Sequence, residues 1–298
     1  MEAQHGRPAL RRVHPPEKSD LVNVSPTGSG DRPPNTFAAP QRSDEKRERR
    51  QQIQQRVLDE GFVRTAALAE QFEVSLMTVH RDLDVLQSQG WLRKVRGGAT
   101  SLTSSAFHGG VSERMTTMAD TKRRLASAAL EFVISGQTVA LDDSTTCLPL
   151  AERLTERTPL TVITNFFPVM KRLAGESGIN LVSLGGTYFP AYDAFLGLET
   201  ARAAAAYHAD ALFMSTTAII RARCYHQSQE TVHVKQALME SATRRVLIVD
   251  HTKFTHEGLH ALAPLTAFNI VLVDSALPAE EQGRIRGLGV DLRVIGRN

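Results

Sequence analysis

The stretch VSLMTVHRDLDVLQSQGWLRKVRGGAT, Val74–Thr100, decides how the rest of the chain is read. Ser75 is placed to cap a helix, and Val79, Leu83 and Leu86 follow at i, i+4 and i+7, the spacing of one apolar face. Gly90 stops that helix, and Trp91-Leu92-Arg93-Lys94-Val95-Arg96-Gly97-Gly98 predicts a short strand and turn. Upstream, Ile53 and Val57 fall four apart in a charged helical run that Gly61 ends. Thr65 is placed to cap a second helix, TAALAEQF, which offers Leu68 and Phe72. Glu73-Val74 supplies the turn between the second and third helices. Helix, helix, tight turn, helix and basic hairpin together predict a winged helix-turn-helix.

In such a module the helix after the turn presents its N-terminal side chains to the major groove. Here those are Ser75, Met77, Thr78, His80 and Arg81. Ser75 and Thr78 suit phosphates or base edges, and Arg81 suits a phosphate or a guanine. Arg93, Lys94 and Arg96 lie within four residues with no acid between them, which suits backbone contact by the wing. Any three-helix bundle has apolar stripes, so one helix alone would imply nothing. The ordered set of caps, turn, stripe and basic wing implies double-stranded DNA as a partner.

Charge agrees in its distribution more than in its size. The net charge of the 298 residues is +3. Residues 1–100 carry 16 Lys/Arg against 13 Asp/Glu, and the remainder carries 19 against 19, so the whole excess lies in the first third. Clustered cations on nucleic acid release condensed counterions. No stretch approaches the roughly 18–20 apolar residues of a membrane helix, and no apolar leader with a small-residue cleavage site is read, so no membrane and a cytoplasmic location are expected. Cys147 and Cys224 alone make neither a disulfide framework nor a four-cysteine metal site.

Residues 1–42 are expected to be a disordered, proline-rich tail, because seven of the 13 prolines and the run SPTGSG fall there. Its Arg7, Arg11 and Arg12 leave a DNA-engaging arm as the alternative. The DNA-reading domain is then 43–100, a linker 101–111, and an effector-sensing α/β domain 112–298.

In that larger domain short β-branched runs alternate with helical patterns. Strands are expected at Thr138–Leu141, Leu160–Thr164, Asn180–Leu184, Ala211–Met214, Val246–Val249, Ile270–Val273 and Leu292–Ile295. Helices are expected near 114–133, 145–156, 166–174, 194–207, 229–243 and 279–287. Near-continuous apolar strands separated by helices predict a mostly parallel sheet covered on both faces. The overall fold class is therefore α/β, a winged helix-turn-helix followed by a parallel-sheet domain. Ligands of such sheets bind beyond the carboxyl ends of the strands.

The residues after each strand suit an anion. Asp142-Asp143-Ser144-Thr145-Thr146 follows the first strand and opens a helix, where free N–H groups and the dipole favour negative charge. Thr164-Asn165 follows the second. Gly185-Gly186 follows the third and lets a backbone approach a ligand. Asp250-His251-Thr252-Lys253 follows the fifth, and Glu230 and Lys235 share the helix before it. Each alone is an ordinary cap or turn; their convergence at strand ends predicts a phosphate-type site. Arg221, Arg223, Tyr225 and His226, in the segment RARCYHQSQ, stand either in the ligand site or on a surface loop.

The run Val74–Thr100 resembles the signature of the DeoR family of bacterial transcriptional regulators, keeping Thr78, Arg81, Asp82, Leu83, Gly90, Gly97, Gly98 and Ala99. His80 stands where an arginine is usual and Arg96 where a histidine is usual. The resemblance extends from about Glu45 to Ile295. In the sensor domain it falls on Asp142, Thr145 and Thr146; Thr164 and Asn165; Gly185 and Gly186; Glu230 and Lys235; and Asp250, Lys253 and Phe254. Lys122 matches a lysine at the start of that domain's first helix. Asp143-Ser144 replaces the usual Ser-Gly and adds a carboxylate beside the phosphate cradle. The resemblance implies a fold like that of sugar-phosphate isomerases, a phosphorylated sugar or related metabolite as effector, and a repressor of a carbohydrate or related operon. A homo-oligomer that pairs its winged helices on repeated half-sites is expected.

Two other functional classes draw on the same residues. A sugar-phosphate isomerase-like enzyme fused to a DNA-binding module would use Asp142, Asp143 and Lys253 for acid and base chemistry. A fused DNA-binding module needs a sensor more than turnover, so no enzyme is expected. His251, His256 and His260 lack cysteine or carboxylate partners at a recognised ligand spacing, so no metal is expected. Gly287-Leu288-Gly289 is no dinucleotide fingerprint, and no cofactor is expected.

Overall fold

The computed structural model describes residues 40–101 and 111–296. The tail expected over 1–42 falls almost wholly outside the described residues, as do linker residues 102–110.

The first part comprises helix α1 (Pro40–Glu60), strand β1 (Phe62–Arg64), helices α2 (Thr65–Gln71) and α3 (Leu76–Ser88), and a hairpin of β2 (Leu92–Val95) and β3 (Gly98–Ser101). β3 pairs antiparallel with both β1 and β2, which turns the wing back against the helices. Ile53, Val57, Leu68, Val79, Leu83, Leu86 and Leu92 close one buried core, so the i, i+4, i+7 stripe faces inward as its spacing predicts. Charge locks α1 onto α3. The Asp82 carboxylate is 1% exposed and accepts from Arg49 Nε and Arg50 Nε, each at 2.7 Å.

Ser75 caps α3, its Oγ accepting from the Thr78 N–H at 3.2 Å. Thr65 does not cap α2. It is the first residue inside that helix, with Arg64 in the capping position. The wing accounts for the difference, because the Thr65 N–H donates to the Gly97 carbonyl at 3.0 Å.

In the larger part, the run expected as one helix over 114–133 is two, α4 (Val111–Thr116) and α5 (Ala119–Leu130), broken at Met118, whose φ is +57°. There follow β4 (Thr138–Leu141), α6 (Leu148–Ala151), β5 (Leu160–Thr164), α7 (Phe167–Leu173) and β6 (Ile179–Ser183). A hairpin of β7 (Thr187–Phe189) and β8 (Ala194–Leu196) leads to α8 (Leu198–Ala205) and β9 (Ala209–Met214). Then come β10 (Ala218–Ile220), β11 (Arg223–His226), α9 (Gln229–Glu240), β12 (Ala242–Val249), β13 (His260–Pro264), β14 (Ile270–Asp274), α10 (Ala279–Arg286) and β15 (Leu292–Ile295). The helix expected over 194–207 therefore begins only after Gly197, residues 194–196 being strand. The helix expected over 145–156 shrinks to α6 and one 3-10 turn at Leu154–Arg157.

All seven expected strands join one parallel sheet, in the order β15-β14-β12-β9-β4-β5-β6. The chain runs outward from β4 through β5 to β6. It then returns to lay β9 on the other side of β4 and runs outward again to β15. The switch point lies between β4 and β9. There the connections on the two sides diverge and open a crevice at the carboxyl ends of the strands. Helices α5, α6 and α7 pack together on the sheet, and α8 and α9 form a second helical layer against it. Strands β10, β11 and β13 make a small antiparallel sheet of their own.

Trp91 packs against the cores of both parts. Beside it Gly90, at φ +77°, lies so close to the β7–β8 hairpin that an added Cβ would stand 3.0 Å from Phe189 Cδ1 and 3.6 Å from Tyr192 Cε2.

Candidate functional site

The crevice at the switch point holds a cavity of about 210 Å³. The carboxyl end of β4 supplies Asp143, Ser144, Thr145 and Thr146; that of β9 supplies Ser215, Thr216 and Thr217; that of β12 supplies Asp250, Thr252 and Lys253. The small sheet covers these ends and adds His226 and Gln227, while the β7–β8 hairpin adds Tyr192. Arg114, Met118 and Lys122 close the remaining side.

Lys122 is there because of helical periodicity. On α5 it shares a face with Leu125, Ala126 and Ala129, all buried, and that face lies on the sheet. Its ammonium, on a residue 4% exposed, donates to the Arg114 carbonyl and to Thr145 Oγ1 at 3.1 Å. Among the described residues no carboxylate lies within ion-pair distance of it. Burial, and then the neighbouring Lys253 ammonium, push its pKa down to about 8. Lys253 is lowered as well, by burial, although Asp250 lies 3.9 Å away. Arg114 is lowered by burial too, and its buried Nη2 has no hydrogen-bond partner among the described residues.

Lys235 stands differently. It is fully buried on α9, bonded to Asp142 and 2.9 Å from Asp143, and the two carboxylates raise its pKa against the effect of burial. Burial alone would raise the Asp143 carboxyl, but the Lys235 ammonium and the Arg114 guanidinium hold it ionised. Burial and the Lys235 charge push His226 down to about 3, so the ring is neutral. Its Nδ1 accepts from the Ser228 N–H at 3.2 Å, which leaves the ring proton on Nε2. One part of the cavity is thus a buried ion cluster in which one ammonium, Lys235, is shared by two carboxylates. The other gathers Arg114, Lys122 and Lys253 with hydroxyl groups and a single carboxylate, an arrangement that lowers its free energy by taking up an anion.

Of the residues singled out from the sequence, Lys122, Asp143, Ser144, Thr145, Thr146, Lys235, Asp250 and Lys253 line this cavity. Asp142 lies behind it, its oxygens taken by Ser144 N–H and Oγ–H, the Ser215 N–H at 2.9 Å and Lys235. Thr164, Asn165, Gly185 and Gly186 do not line it, because β5 and β6 run out on the far side of β4 from the switch point. They serve the hairpin and α8 instead. Asn165 Nδ2 donates to the Phe195 carbonyl at 3.0 Å, and Thr200 Oγ1 donates to the Gly185 carbonyl at 2.8 Å. Gly186, at φ +134°, has room for no Cβ, which would stand 2.1 Å from Thr200 Oγ1. Glu230 is exposed and accepts from Ser228 Oγ at 2.9 Å.

The segment RARCYHQSQ is strand rather than loop at Arg223–His226. Of its four flagged side chains His226 reaches the cavity, whereas Arg221 and Arg223 are exposed elsewhere. Among the three flagged histidines, His256 lines the cavity, and His251 Nδ1 pairs with Asp274 Oδ2 at 2.9 Å. The reading of the sequence did not find Arg114, Tyr192, Ser215, Thr216, Thr217 or Gln227. Only the run of hydroxyls after the β9 strand pattern, Ser215-Thr216-Thr217, gave a signal that could have been used.

On the winged part, Ser75, Met77, His80, Arg81, Arg93 and Arg96 are exposed, and Thr78 is half-buried beside its cap. Lys94 is engaged within the fold, paired to Asp84 through its ammonium and to Gln87 Oε1 through its N–H at 2.7 Å. The unpaired charge on the outward surface of α3 and the wing is thus cationic.

Residues 49–105 match the model of the DeoR-like helix-turn-helix domain, and residues 117–275, more than half the chain, match that of the DeoR C terminal sensor domain. A putative aga operon transcriptional repressor of Escherichia coli O157:H7 is 29% identical over 84% of this chain and 94% of its own. The L-fucose operon activator of Haemophilus influenzae is 29% identical over 76% and 91%. Among solved structures, ribose 5-phosphate isomerase A of Methanocaldococcus jannaschii aligns with 46% of this chain and 55% of its own at 16% identity and a TM-score of 0.34, too loose a likeness to bear on function.

Proposed function

The chain belongs to the DeoR family of transcriptional regulators, and on that premise we propose that it is a cytoplasmic, sequence-specific DNA-binding repressor of an operon for carbohydrate or related metabolism. Its effector is a phosphorylated sugar or similar small metabolite. Residues 43–100 read the operator, 101–111 link, and 112–298 sense. The single observation that carries the effector reading is Lys122, a buried ammonium beside Arg114 and Lys253 at the switch point, with no carboxylate within ion-pair distance among the described residues. A phosphate there replaces the missing counter-charge and accepts from Thr145 and Thr146. Asp143 is held by Lys235, so the sugar hydroxyls meet a fixed acceptor.

The same ion cluster supports sensing over turnover. Asp142 is committed to Lys235 and to the Ser144 and Ser215 N–H groups, and Asp143 is ion-paired with the same ammonium, which disfavours either as a general base. The names of the relatives support the operon class, one a repressor and one an activator of the operons that they name. Copies of the chain associate and place paired winged helices on repeated half-sites, and the effector shifts the geometry of the pair. Tyr192 supports a direct route for that shift, since it lines the cavity and also lies against Gly90 at the end of α3. Coupling of about 1–3 kcal/mol is enough for a regulatory switch.

Thermal unfolding of the full chain against a panel of sugar phosphates and their unphosphorylated parents tests the effector reading. At about 100 times its Kd, a specific ligand adds about 2.7 kcal/mol. The expected result is a rise in Tm with a phosphorylated compound and none with its parent. A rise with the parent alone refutes the phosphate cradle.

A further inference from the structure

The first turn of α3 exposes two large apolar side chains. Leu76 is 53% exposed and Met77 61% exposed. At about 100° per residue, the buried stripe of Val79, Asp82, Leu83 and Leu86 defines one side of the helix; Met77 falls nearly opposite it, and Leu76 lies at its edge, left exposed by its place at the first residue of the helix. His80 and Arg81 flank Met77 on this outer face, as does Asp84, whose charge the Lys94 ammonium cancels. Arg81 is exposed on this face, and Arg93 and Arg96 are exposed on the wing that follows the helix. An apolar patch framed by cations is matched to a partner whose rim is anionic and whose floor offers an apolar group. The major groove is such a partner, because phosphates line its edges and the one apolar group on its floor in unmodified DNA is the thymine 5-methyl.

We propose that Leu76 and Met77 form an apolar reading surface for thymine methyl groups, and that each half-site of the operator carries thymine where this turn enters the groove. This rests on the reading of α3 as the DNA-contacting helix. Ser75 and Thr78 hold the turn, bonded to each other at 3.0 Å through their hydroxyls and so drawn towards the cap. Specificity at the leading end of the helix then comes from shape and desolvation, while Arg81 and the wing supply affinity. The methyl contact releases no counterions, so it is separable from phosphate contacts by its salt dependence.

The test begins with selection of binding sequences from random duplexes by the full chain. Each thymine of the selected half-site is then replaced by deoxyuridine, which removes the methyl and keeps every hydrogen-bonding group. At one or two positions per half-site the replacement is expected to weaken binding about fourfold, the equivalent of about 0.8 kcal/mol for a buried methylene-sized group. In Met77→Ala or Leu76→Ala that discrimination shrinks towards one, while the slope of log K against log salt stays at its wild-type value. Met77→Leu, which keeps an apolar tip, retains it. Uniform tolerance of deoxyuridine, or a penalty that persists unchanged in both alanine variants, overturns the proposal and leaves the DNA-contacting role of α3 standing. Failure of the chain to select any sequence would instead remove the reading on which the proposal rests.

Discussion

Below about pH 8 Lys122 keeps a proton that burial and the Lys253 ammonium both oppose. The unfolded chain holds that proton up to about pH 10.5. Between those values the unfolded state binds more protons, so this group's contribution to stability rises with pH, and below about pH 8 it costs the fold of the order of 3 kcal/mol. An anion in the cavity raises the lysine pKa again. Binding of the effector at pH 8–9 is therefore expected to take up protons, read by calorimetry as a heat that varies with the ionisation enthalpy of the buffer. A heat independent of buffer would separate the ligand from Lys122. This lysine was legible only through the family resemblance, because a lysine among the alanines of an ordinary amphipathic helix carries no other mark. Arg114 was not legible at all. It becomes a cavity residue because the chain breaks at Met118, and no residue pattern around that break announces the left-handed turn.

Among the elements, the inner strands of the parallel sheet were readable because each carries a run of apolar residues buried on both faces, the edge strands β6 and β15 were readable from shorter apolar runs, and the boundaries differ by a few residues at most. The small strands were not. β7, β8 and β10 have three residues each, too few for a period, and the β10–β11 turn is made by Arg221 and Ala222 at positive φ rather than by glycine. The cavity lost accuracy on the same account, since its roof is built from these short pieces. The contact of α1 with α3 was equally hidden, for Asp82 looks like any helical surface acid until Arg49 and Arg50 are seen to close on it. Removing it leaves two arginines without their partner in a half-buried site. Asp82→Ala is expected to destabilise the winged part by about 3 kcal/mol, measured by denaturant unfolding followed through loss of DNA binding. A loss under about 1 kcal/mol would mean that the pairs act as solvated surface bridges.

At the scale of the whole molecule, the switch point explains which strand ends matter. β4, β9 and β12 are neighbours at the crevice, whereas β5 and β6 lead away from it, a distinction that depends on strand order and is invisible along the chain. The hairpin after β6 compensates by bringing Tyr192 back to the cavity and against Gly90. If this contact transmits the effector signal, Tyr192→Ala separates the two activities. Its operator affinity without effector is expected to stay within about threefold of wild type, because a coupling contact acts on the difference between states. The change in affinity on saturation with effector is expected to fall towards none, as titrated by the anisotropy of a labelled operator. An unchanged response would place the route through the subunit contacts.

Trp91 stands at the same seam, its N–H bonded to the Leu86 carbonyl at 2.9 Å and its ring packed on the cores of both parts. It is also the only tryptophan of the chain. The protein therefore carries its own fluorophore where the two parts meet, and selective excitation of that indole reports on this junction without a label. Emission that shifts on adding effector alone, before any DNA is present, would be the optical trace of the sensor pulling on the end of its reading helix.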